Sequence, residues 1–233
     1  MAKISILERR FLAFCHVFIL LSFAVFIGHA YADHDDEHFI IGYVNHPRVV
    51  NHYKPLIEKA YQEIGINATF EVVGGERGLR LLNQEMTDAD VIRYEIVATL
   101  DNNLIVVEPA LAYGASLLLC ARGMLCSKSV LHDPDTAIAV TTRFFYNIDS
   151  DPSSLQANIS EFEDFNQVIT LLRSGRFNYA ILPSDFSENE IFEKAGIEYL
   201  PLVTHKLVHV INKKHVALKT PLSRAIANQL KNQ

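Results

Sequence analysis

The 233-residue sequence has no surplus of basic residues: 21 Lys and Arg stand against 27 Asp and Glu, a net charge of −6. A chain so balanced offers no cationic footprint for nucleic acid and no polybasic patch for an anionic lipid surface. The common catalytic and nucleotide motifs are missing as well: no G-x-S-x-G elbow, P-loop, G-x-G-x-x-G or H-E-x-x-H occurs. Internal repeats, low-complexity tracts and linkers are absent, which argues against a string of separate modules. Cysteine is scarce, with three in the whole chain.

Histidine is more plentiful, but the ten residues are scattered. His205 and His209 fall in a strand-like segment, on one face but about 13 Å apart by strand rise, too far to share a metal. The acidic run Asp33 to His38 reads as a solvated leader rather than a metal site. No metal or cofactor is implied. An enzyme would need an acid or base in a cleft, and His46, His52 and Glu108 are the candidates.

Lys3, Arg9 and Arg10 precede an apolar run from Phe11 to Ile27, followed by Ala30-Tyr31-Ala32. This is the three-part pattern of a secretory signal peptide over residues 1–32, cleaved after Ala32, and it places the mature protein in the periplasm. The run is long for such a signal, so an uncleaved membrane anchor is the alternative. Phe14 precedes Cys15 where a lipoprotein signal requires a small residue, which argues against lipidation. Cleavage removes three Lys/Arg and one Glu, leaving 201 residues with a net charge of −8. The two remaining cysteines, Cys120 and Cys126, are expected to form a disulfide across the turn at Arg122-Gly123 in an oxidising compartment. The weaker alternative is a metal site, for which the spacing is wrong.

Strand and helix patterns alternate through the rest, which argues an α/β fold with largely parallel sheets. Strands are expected at 39–44, 68–73 and 89–94. A run from 104 to 120 is expected to break at Glu108-Pro109 into two strands, the second buried on both faces. Further strands fall at 137–142, 178–182, 198–203 and 207–212. A helix over 54–65 stops at Gly65, and another follows Gly74-Gly75 with Leu79, Leu82 and Met86 as its stripe. Ser160-x-x-Glu163 and Ser187-x-x-Glu190 match capping boxes, and Thr220-Pro221 opens a last helix. Tyr43 ends the first strand and is expected to point into a cleft. Arg93 ends the third, where α/β domains hold ligands and a guanidinium fork suits a carboxylate. The other reading of Arg93 is a surface arginine paired with Glu95 or Asp90.

In this order of elements, Glu76-Arg77, the helix Gly78 to Gln84, Asp88-Ala89-Asp90 and Arg93 match a recurring pattern. So do Thr141-Thr142-Arg143 and Tyr179-Ala180-Ile181-Leu182 leading to Asp185. With these residues the chain, from Phe39 to about Gln229, resembles the bacterial extracellular solute-binding proteins of family 3, the periplasmic polar amino-acid-binding type. More narrowly it resembles their divergent gamma-proteobacterial branch. The resemblance implies a type II periplasmic binding protein fold: two lobes, 39–120 with 205–233 and 121–204, joined by two hinge strands. It implies a monomer that captures a small polar, amino-acid-like or carboxylate solute for an ABC permease. Arg93 would hold the ligand carboxylate and Asp185 its ammonium, with Thr141, Thr142, Arg143 and Tyr43 completing the site. The alternative role of Asp185 is to favour the start of the helix after it. A sensory module acting on a membrane sensor protein, and an exported dehydratase-like enzyme on the same scaffold, are the alternative functions.

Overall fold

In a computed structural model of the chain, residues 38–99, 101–141 and 155–232 are described. The expected signal peptide lies outside these residues, as do Thr142 and Arg143. Strand β1 (Phe39–Tyr43) leads through a π-type turn (Val49–Tyr53) into helix α1 (Lys54–Glu63), then β2 (Ala68–Val72), α2 (Gly75–Asn83), β3 (Ala89–Tyr94) and the short α3 (Glu95–Thr99). The long β4 (Leu104–Cys120) follows, then a 3-10 turn (Lys128–His132), β5 (Ala137–Val140), β6 (Asn158–Glu161), α4 (Phe165–Arg173), β7 (Tyr179–Ser184) and α5 (Asn189–Lys194). The chain closes with β8 (Glu198–Asn212), a 3-10 segment (Lys213–Leu218) and α6 (Lys219–Lys231). Among the described residues, eight strands form one sheet in the order β2-β1-β3-β8-β4-β7-β5-β6. The sheet is mixed: β1/β2, β1/β3, β5/β6 and β5/β7 are parallel, while β3/β8, β8/β4 and β4/β7 are antiparallel.

The centre of the sheet corrects the sequence reading. Instead of two broken runs, β4 and β8 are single strands paired antiparallel from Leu104 opposite Asn212 to Cys120 opposite Glu198. The expected break survives as a register shift between Val107 and Ala112, where the Glu108–Pro109 peptide is cis. Proline lacks an amide donor, so the ladder lapses there without ending the strand. Burial on both faces begins at Gly114, because Tyr113 is 70% exposed.

Four clusters cover the sheet. At one end, α1 and α6 lay Leu56, Ile57, Ala60, Tyr61, Leu222 and Ile226 over Ile41, Val91 and Ile211. Leu82 and Ala98 pack with Leu104, Val208 and Val210 in a smaller neighbouring cluster. At the other end, Leu117 and Leu119 pack under Phe165, Val168, Leu172 and Phe192, while Leu118 and Cys120 belong to a separate cluster with Val130, Ile138, Ile181 and Leu202. Alternate residues of β4 thus serve two cores, as the period of two of a doubly buried strand requires. Truncating any of these leucines to Ala should cost roughly 2–5 kcal/mol. The Cys120–Cys126 disulfide closes the turn that leaves the second core.

Several helix ends also differ from expectation. Gly65, Gly175 and Gly196 do end helices, with φ of 80°, 70° and 66°. Ser160 lies in β6, and the cap of α4 is Asp164, whose side chain accepts from the Gln167 amide at 2.9 Å. The first residue of α5 is Asn189 and its cap position is held by Glu188, so Ser187 does not form the box either. Met86 lies beyond α2 and is 62% exposed; only Leu79 and Leu82 of the expected stripe pack inward. In both capping errors a polar residue three positions before a glutamate sits in extended or turn backbone, which the same residue types favour equally.

Candidate functional site

The carboxyl ends of β1, β3, β5, β6 and β7 converge on one cavity. Its walls include Val44, Asn45, His46, Arg48 and Val49 from the loop after β1, Ile92, Arg93 and Tyr94 from β3, Thr141 after β5, Glu163 after β6, and Pro183, Ser184 and Asp185 at the end of β7. The volume is about 130 Å³, well above the roughly 10–15 Å³ of such space that one water needs. There is room for a small organic solute. An open α/β sheet places ligands at this edge because loops diverge there and helix N-termini turn toward it.

Three of the residues singled out in the sequence meet here: Arg93, Thr141 and Asp185. Tyr43 does not line the cavity; it packs on the first core, with the Lys54 ammonium 4.7 Å from its ring centroid. Arg93 is buried, not the surface arginine of the second reading, although its partner is Asp90. It faces the cavity and also pairs with Asp90 through Nε at 2.9 Å and through Nη2. Its Nη1 donates to the Gly75 carbonyl at 2.6 Å. A guanidinium has five N–H donors, so two remain after these bonds among the described residues. The Arg93 and Asp90 side chains are 9% and 2% exposed, and burial pushes the Asp90 carboxyl up against the pull of Arg93. Gly78 makes room for this packing: a Cβ there would lie 2.5 Å from Arg93 Nη2 and 2.7 Å from Val73 Cγ2.

Asp185 stands across the cavity and has three donors of its own. Arg48 Nε donates to Oδ2 at 2.9 Å, the Tyr53 hydroxyl donates to the same oxygen, and the Ser187 amide donates to Oδ1 at 3.1 Å. Burial alone would raise this carboxyl, but the bonds from Ser187, Tyr53 and Arg48 outweigh it and hold it down at about 2. Asp185 thus bonds the amide two residues on and also joins elements far apart in the chain. Gly114 of β4 fixes where this end of β7 lies, since a Cβ on it would collide with the Ser184 carbonyl oxygen.

Two more contacts run alongside. Asn45 Nδ2 donates to Asp164 at 3.0 Å, and His46 Nε2 lies 3.8 Å from Glu188 Oε1, whose other oxygen accepts from Ser184. Burial depresses the His46 imidazole, which leaves it neutral and packed edge-on to Phe165 at 4.3 Å. His52 and Glu108 lie outside the cavity lining, so the three candidate acid–base residues do not converge. His205 stacks on Tyr94 at 4.2 Å, and His209 is buried between the Tyr61 hydroxyl and the Val91 carbonyl. Among the described residues no cluster of His, Cys, Asp or Glu could hold a metal ion.

The sequence reading missed Asn45, Arg48, Tyr53 and Glu163, and had His46 only as an acid–base candidate. The signal was available for Asn45 and Arg48: Asn45-His46-Pro47-Arg48 is a polar loop directly after the first strand, at the same edge that singled out Arg93. Glu163 was assigned to a helix start, but it lies exposed at the cavity rim with its carboxyl 3.8 Å from the Cβ position of Gly74.

No family model and no curated protein matches the sequence. Solved structures do match the fold. The substrate-binding protein of an amino acid ABC transporter aligns with TM-score 0.68 at 9% identity, covering 83% of this chain and 96% of that one. An arginine-bound arginine-binding protein from T. maritima aligns with TM-score 0.66 at 10% identity over 82% and 95% of the two chains. The GluR0 ligand-binding core in complex with L-glutamate gives 0.65 at 11% identity over 84% and 93%. The fold of this chain is the α/β fold of the type II periplasmic binding proteins.

Proposed function

We propose that the chain is a periplasmic solute-binding protein that captures a small polar, amino-acid-like or carboxylate ligand between two lobes, for uptake through an ABC permease. The observation that carries this reading is the cavity at the carboxyl ends of five strands, lined by a buried arginine with two N–H donors left over among the described residues. The lobes are residues 39–120 with 205–233, and 121–204, and β4 with β8 forms the hinge. Arg93 receives the ligand's carboxylate as a fork, and Thr141 supports it from the other lobe. The bonds from Arg48 and Tyr53 to Asp185 and from Asn45 to Asp164 close the lobes over the ligand. The neighbouring amino-acid-binding proteins support a solute of this kind, while the narrower gamma-proteobacterial placement rests on the Glu76–Arg93 pattern alone.

A thermal-shift screen of amino acids and small carboxylates tests the reading. A ligand should raise the melting temperature of the wild-type protein and lose that effect in Arg93→Ala; binding indifferent to this substitution would sink the assignment of Arg93. Export is checked separately by sequencing the N-terminus of the protein recovered from the periplasm, which should begin at Asp33.

A further inference from the structure

The acid expected to receive a ligand's ammonium group is already occupied by the protein's own cation. Asp185 Oδ2 holds the Arg48 guanidinium and the Tyr53 hydroxyl, Oδ1 holds the Ser187 amide, and the side chain is 5% exposed. A ligand ammonium arriving here would exchange one cation for another, with no net Coulomb gain, and Arg48 would lose its partner. Asp90, the other acid beside the cavity, is committed to Arg93 in the same way. Glu188 accepts from Ser184 and is not part of the lining. The remaining carboxylate, Glu163, is exposed at the rim, where water weakens any ion pair it makes.

The anion side is different. Arg93 keeps two N–H donors, and it is anchored beside Gly75, the first residue of the nine-residue helix α2, whose leading amides have no partner within the helix. Val44, Val49, Ile92, Tyr94, Phe165 and Leu207 give the cavity an apolar share of its wall, beside the neutral polar side chains of Asn45, His46, Thr141 and Ser184. Among the described residues the lining offers one anion-binding pole, no unengaged buried carboxylate and a large apolar share, which together fit a single chemical class.

We propose that the solute is a monocarboxylate with an apolar body and no ammonium group, and that Arg48 is the residue that excludes α-amino acids by occupying Asp185. This rests on the reading of the cavity as a ligand site. The test is calorimetry and thermal shift on the full chain with matched pairs: 4-methylpentanoate against leucine, and 3-phenylpropionate against phenylalanine. The carboxylate of a pair should bind at least about tenfold more tightly than its amino acid, a difference of about 1.4 kcal/mol. Arg48→Ala, checked by circular dichroism for an intact fold, should shrink that preference by favouring the amino acid, and Arg48→Lys should preserve it. An amino acid that binds wild type as well as its partner overturns the proposal and leaves the solute-binding reading standing. So does a preference that Arg48→Ala leaves unchanged. Binding of neither class overturns both.

Discussion

Two arginine–aspartate pairs flank the cavity, and they differ in almost everything except chemistry. Arg93 and Asp90 are three residues apart on one strand, 9% and 2% exposed, and rooted in the sheet. Arg48 and Asp185 are 137 residues apart, and the Arg48 side chain is 36% exposed. The first pair cannot separate without leaving a buried charge, so it is a fixed part of the fold. The second joins elements that approach only through tertiary structure, and its arginine is solvated enough for water to take the place of Asp185, while Asp185 itself is 5% exposed. A pair of the first kind is fixed by the core, while one of the second kind depends on how two distant segments approach.

The largest effect that would sharpen this contrast is Asp90→Asn. It removes the charge opposite a buried guanidinium and should destabilise the protein by about 3–5 kcal/mol in denaturant titration; a loss near zero would show that the Arg93 pole is not anchored in the core. Acid attacks the same region through His209, whose imidazole burial depresses to about 4. The neutral form is favoured in the folded state, so its stability is complete above the unfolded value near 6.5. It is lost as pH falls toward 4, by roughly 3 kcal/mol in the limit. His209→Gln should flatten the stability profile in that window.

The second pair should respond more weakly and in a different pH range. Asp185 titrates at about 2 when folded, below the ordinary value near 3.8. Its contribution is therefore present above pH 3.8 and lost as pH falls through about 2. Because Arg48 is partly solvated, Asp185→Asn should cost only about 1–2 kcal/mol at neutral pH, and the cost should vanish below pH 2 in acid unfolding curves. Smallest of all, Arg48→Ala should lower stability by about 1 kcal/mol or less, yet enlarge the ligand-free radius of gyration in small-angle scattering. No change in dimensions would mean that this pair closes nothing.

The sequence made the first pair legible and the second invisible, for a physical reason. Asp90 and Arg93 lie on one short strand, so spacing alone brought them together as one of two readings. Arg48 and Asp185 meet only because the loop after β1 and the end of β7 face each other across the cavity, and no local pattern encodes that. The same division holds for the fold. Alternation, glycine stops and the apolar run into Cys120 are local and were readable. That the breaks at Glu108-Pro109 and near Thr204 lie inside two continuous strands depends on each strand being the other's partner.

Gly78 and Gly114 do their work by what they leave out. One leaves space for the guanidinium of Arg93, the other for the carbonyl just before Asp185, so two absent methyl groups act as the gauge blocks between which the opposite walls are set. A single added carbon would push on the Arg93 guanidinium directly at Gly78, and on the carbonyl next to Asp185 at Gly114. Selectivity in this protein can therefore drift through residues that never meet a solute, and a search for its determinants that counts only side chains in the cavity would pass over both.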